Sequence, residues 1–136
     1  MGIDVRVETE DGKSVQEVGD PRGLTSWLLA LGDISQTVCL RFIDPYGDTV
    51  FNQAQLPVLS AELADLGPSL TDLGLLKAKQ EHLEGAKAWP PQAQQEERAF
   101  HATLTIGELQ QHLAAVTDLI DHAQGRIHHY VRFFGD

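Results

Sequence analysis

Three short phrases, Val5-Arg6-Val7, Leu40-Arg41-Phe42 and Val131-Arg132-Phe133, each set one arginine between two apolar residues, near the start, the middle and the end of the chain. A period of two is the pattern of a strand with one buried face, so the phrases predict three strands. If these share one sheet in compatible orientations, three of the chain's six arginines project from the face turned away from the core. Like charges directly across a strand pair destabilise it, so carboxylates must intervene or the arginines must be offset. Asp4 and Glu8 flank Arg6 on the same face and supply such carboxylates.

The central phrase extends over VCLRFIDPYGDTVFN, 38–52. Val38, Leu40 and Phe42 are expected to face the core, and Cys39, Arg41 and Ile43 the other side. Asp44, Pro45 and Gly47 carry turn chemistry, and Thr49 to Phe51 reads as a return strand, which together predict a β-hairpin. A weaker strand is expected at 14–18 after the turn EDGK. In the last strand, Val131 and Phe133 alternate with Tyr130, Arg132 and Phe134, and a Gly-Asp pair closes the chain.

Between the strands the periodicity changes to that of helices. LTSWLLAL, 24–31, has the composition of a buried helix of two turns. Leu56, Leu59, Leu63 and Leu66 predict a helix over 55–66, with Pro57 near its start and Gly67-Pro68 as its stop. Ser69 and Asp72 resemble a cap for a helix to about 86, whose stripe of Leu73, Leu76 and Leu83 is interrupted by Gln80, so incomplete packing is expected. GAKAWPPQAQQ, 85–95, reads as a linker, with a brief helix after it and Trp89 anchoring it to the body. Thr105 and Glu108 have capping-box spacing, and Ile106, Leu109, Leu113, Val116, Leu119 and Ile120 make the longest stripe in the chain, ending at Gly125. The expected fold is therefore α+β: one domain, 1–136, with an antiparallel-rich sheet of three to five strands and helices packed on one face.

The run LRFIDPYGDTVFN, the leucine-rich helix after it and the terminal aromatic strand ending in GD resemble a group of small uncharacterised bacterial proteins that share these phrases. The likeness covers about 3–66 and the last dozen residues, while 67–104 is individual to this chain. It implies a bacterial, cytoplasmic setting and carries over no catalytic residue.

Composition bounds the function. Twenty acidic residues against ten basic ones give a formal charge of −10, which repels nucleic acid and anionic membranes. The single cysteine, Cys39, excludes an internal disulfide, which fits a reducing cytosol, and in mid-strand it reads as a small buried hydrophobe. Neither GxSxG, GxGxxG nor a Walker loop occurs, and no cofactor is expected. No metal is expected either. Glu108, His112, Asp118 and His122 fall on the side of their helix opposite the leucines, as a solvated polar face. His82 and His101 have no spaced partner, and His128 and His129 point to opposite faces.

The candidate binding residues are Arg6, Arg41 and Arg132 on the sheet face, with Asp44, Tyr46 and Asp48 in the turn. Two readings follow: a non-catalytic acidic module that binds a basic protein, as an inhibitor or immunity protein does, or a small anionic-ligand-binding protein or enzyme gripping its ligand with the three arginines. A homo-oligomer that covers the sheet face is a third.

Overall fold

The computed structural model describes residues 2–135. The closing Asp136 lies outside the described residues. Four strands, β1 (Ile3–Thr9), β2 (Ser14–Val18), β3 (Asp48–Phe51) and β4 (His129–Gly135), form one antiparallel sheet in the order β2-β1-β4-β3. Five helices accompany them: α1 (Leu24–Leu31), α2 (Leu56–Ala64), α3 (Asp72–Gly85), α4 (Pro91–Thr103) and α5 (Ile106–Ala123). The architecture is the expected α+β fold, and the C-terminal strand lies inside the sheet, paired with both β1 and β3.

Alternation decides which face is buried. Ile3, Val5 and Val7 on β1, Val131 and Phe133 on β4 and Phe51 on β3 face the helices. They join Leu109, Val116, Leu119 and Ile120 of α5 and Leu28 of α1 in the core. Each such side chain taken fully out of water contributes about 1.5–3 kcal/mol. Thr105 caps α5 by accepting a hydrogen bond from the Glu108 amide at 3.2 Å. The cap of α3 is Thr71, which accepts from Gly74, rather than the expected Ser69. Its buried residue is Leu75, whereas Leu73 and Leu76 of the expected stripe are exposed. The linker is shorter than expected: Pro91 begins α4, because a proline at the first helical position gives up no hydrogen bond.

The central hairpin is the main correction. Leu40–Phe42 is a turn of 3₁₀ helix, and β3 pairs with β4 instead. Cys39, Leu40 and Ile43 are buried while Val38, Arg41 and Phe42 are exposed, a helical rather than an alternating pattern. The physical cause lies 22 residues further along. Glu62 of α2 accepts hydrogen bonds from the Val38, Cys39 and Leu40 amides at 2.6, 3.0 and 3.0 Å, satisfying donors that a strand would have offered to a neighbour. The turn chemistry itself holds, with Asp44 accepting from the Tyr46 amide at 2.9 Å and from the Gly47 amide through its carbonyl. The Gly47 carbonyl in turn receives the Gly135 amide, where a side chain at Gly135 would strike the Pro45 carbonyl.

Gln53 locks the return from α5 to β4. Its Nε2 donates to the carbonyls of Ala123, Arg126 and His129 at 2.8–2.9 Å, and its Oε1 accepts from Gly125, which holds a left-handed φ of 78°. Replacing Gln53 with Ala removes these bonds, leaves the Gly125 amide without its acceptor, and is expected to lower stability by about 1–3 kcal/mol in urea unfolding. The exposed α3 change Leu73→Gln is expected to stay within about 0.5 kcal/mol of the parent.

Candidate functional site

Two regions gather chemically capable side chains. The first is the outer face of the sheet. Arg6 and Arg132 lie directly opposite one another across β1 and β4, the like-charge arrangement that needs compensation. Carboxylates supply it. Arg132 donates from Nε to Glu8 Oε1 at 2.8 Å and from Nη1 to Asp48 Oδ2 at 2.6 Å, while Arg6 Nε lies 3.3 Å from Glu17 Oε1. The hydrogen bond to Glu8 comes first among the contacts that hold the Arg132 pKa above its ordinary value. Both guanidinium groups also lie near aromatic rings, Arg6 5.1 Å from that of Phe134 and Arg132 6.0 Å from that of Tyr130.

Arg41 is not part of this face. It sits on the 3₁₀ turn with its guanidinium 4.7 Å from the Phe42 ring, so two arginines share the sheet rather than three. Of the turn residues, Asp48 joins Arg132, Asp44 braces its own loop, and Tyr46, 72 % exposed, reaches a different region. Arg132 is engaged by two carboxylates, and Arg6 forms an ion pair with a third although its buried Nε makes no hydrogen bond, so the two forks do not make one open anion clamp. The face keeps Val50 and Phe134 exposed beside these pairs.

The second region is a cleft of about 360 Å³ where α1, α3, α4 and the Pro45-Tyr46 turn meet. Trp27, Tyr46, Trp89 and Phe100 supply aromatic surface, and His82, Glu97 and Arg22 supply polar groups. Glu97 and His101 lie one turn apart on α4, and His82 comes from the last turn of α3. Glu97 Oε1 is 3.0 Å from both His82 Nδ1 and His101 Nε2. Trp27 packs against both imidazoles at 5.2 Å between ring centroids, and Trp89 stands edge-on to His82 at 5.9 Å. Arg22 is engaged by Glu108 and Thr103, with its guanidinium over the Phe100 ring.

Sequence spacing did not find this cluster. The i,i+4 pair Glu97 and His101 falls inside the brief helix expected over 94–102 and was a usable signal that went unread, while His82 joins only through packing of α3 on α4. The polar face expected on α5 is also corrected at one position. His112 is buried, its Nε2 2.8 Å from the hydroxyl of Thr25, because α1 packs against α5 on that side. Cys39 is buried as expected, and burial first, then Glu62, pushes its thiol pKa up.

Burial lowers the pKa of His101 and of His112 below the ordinary 6.5, against the opposing influence of Glu97 in one case and of Asp20 and Glu108 in the other. The folded chain therefore refuses protons that the unfolded chain accepts. The stability due to these neutral imidazoles is complete above about pH 6.5 and declines as the pH falls toward the lowered folded-state values. Urea unfolding between about pH 7.5 and about pH 5.5 is expected to show that decline, at most about 1.4 kcal/mol per pH unit for each histidine, with a shallower slope in His112→Gln.

No protein-family model matches the chain, and no curated protein or solved structure matches it. No helix among the described residues is long and apolar enough to cross a membrane.

Proposed function

We propose that the chain is a non-catalytic binding protein that docks a basic protein partner on the outer face of its sheet, in the manner of an inhibitor or immunity protein of the bacterial cytoplasm. The observation that carries this reading is that α1 and α5 pack on one side of the sheet, while the other side presents Val50 and Phe134 among arginines already paired to the chain's own carboxylates. Aromatic rings and arginines surrounded by polar groups are the composition of a protein interface. Internal pairing favours this reading over the grip of a small anion, since a ligand would have to displace Glu8 and Asp48 from Arg132.

The sign of the charge points to the partner. Asp4, Glu8, Glu17 and Asp48 outnumber Arg6 and Arg132 on this face, and the whole chain carries −10. Such a field draws a basic surface in and weakens as salt screens it.

Affinity capture from an extract of the source cells, followed by measured binding of the purified partner, tests the reading. A basic protein is expected whose affinity falls with added salt and drops at least about tenfold with Val50→Lys and Phe134→Lys, but not with Leu73→Lys on α3. Failure to recover a salt-sensitive partner, or binding that ignores both sheet substitutions, would count against it. A dimer that the same substitutions dissolve would assign the face to a second copy of the chain.

A further inference from the structure

We infer that His82, Glu97 and His101 form a binding site for a divalent transition-metal ion of the zinc class, with its fourth coordination position open to the aromatic cleft. The residues are separate from the docking face, so this site stands or falls independently.

The donor set comes first. Two imidazoles and one carboxylate suit zinc and its neighbours, whereas calcium and magnesium favour oxygen ligands. Three protein ligands also leave one tetrahedral position for water or another small ligand. Spacing agrees with this. Bonds of about 2.0–2.1 Å place tetrahedral ligand atoms about 3.3 Å apart. Glu97 Oε1 already lies 3.0 Å from a nitrogen of each histidine, and one ligand atom from each of the three residues lies within 4.8 Å of the others. The remaining adjustment falls on His82, whose side chain is 42 % exposed, rather than on the buried His101.

The surroundings suit a ligand cluster. His101 is buried and its Nε2 is hydrogen-bonded to Glu97 within the cluster, while its buried Nδ1 has no hydrogen-bond partner. The neighbouring cations have partners of their own: Lys79 Nζ donates to the Leu104 carbonyl at 2.8 Å, and Arg22 is engaged by Glu108 and Thr103. Trp27 and Trp89 against the imidazoles restrict both rings and give the site its own optical reporters.

Calorimetric titration of the full chain with zinc chloride, and cobalt(II) absorption as a probe of geometry, test the inference. One ion per chain is expected, with tetrahedral cobalt bands and a change in tryptophan fluorescence. His82→Ala and Glu97→Gln are each expected to weaken zinc binding more than about 100-fold, since loss of outer-shell groups alone costs 10–100-fold. His122→Ala on α5 is expected to leave binding unchanged. Circular dichroism of the His82→Ala protein checks that the fold is retained, which avoids reliance on the buried His101. Absence of stoichiometric binding by both ions would overturn the site, as would binding that persists in His82→Ala and Glu97→Gln.

Discussion

The carboxylate of Asp20 joins parts of the fold that no local sequence pattern connects. Its side chain is fully buried and accepts hydrogen bonds from the Ile3 amide at 2.9 Å, the Leu24 amide at 2.6 Å and the Thr25 amide at 3.1 Å. The first residue of β1 and the N-terminus of α1 thus share one anion, which suits the unpaired amides and positive end of a helix dipole. Thr25 extends the connection by donating to the Ile3 carbonyl, and with that proton committed His112 of α5 donates to the Thr25 hydroxyl. Burying a charge is costly unless it is hydrogen-bonded, and three donors meet that condition here. The chain approaches so closely that a side chain on Gly2 would overlap the Asp20 carbonyl.

This junction positions both candidate regions. It sets the start of α1, and therefore where Arg22 and Trp27 stand in the cleft. It also anchors β1, the strand that carries Arg6 and Glu8 to the bare side of the sheet. The sheet ends on each side in a short edge: β2 of five residues, carrying Glu17 and following a register shift at Val7/Glu8, and β3 of four. Short, charged, irregular edges disfavour strand-to-strand association, which leaves the broad outer face as the larger surface for a partner.

Legibility from sequence followed the range of the interaction that determines each element. The helix over Ile106–Ala123 was readable because its apolar stripe and its Thr105 cap are local. The strands at both ends were readable because Val5, Val7, Val131 and Phe133 alternate in an unambiguous period of two. The segment around Leu40 was not. Three alternating residues fit a short strand or a 3₁₀ turn equally well, and three hydrogen bonds donated by the backbone to Glu62 selected the turn. Arg41 left the sheet face with it. The internal pairing of the arginines was half visible: Glu8 was expected on this face beside Arg6 but pairs with Arg132, and Asp48 reached Arg132 only once β3 had paired with β4 rather than with the chain before it.

From order along the chain come the α+β class, the buried faces of the strands at either end, the strongest helix and the acidic charge, all of which depend on periodicity or on totals. Partner choice across the fold does not follow from these, because contacts between distant segments form only when whole elements pack. Packing of α3 on α4 brings His82 to Glu97 and His101, and packing of α1 on α5 withdraws His112 from solvent. Periodicity specifies which side of an element is buried, whereas the geometry of assembly specifies which side chain meets which.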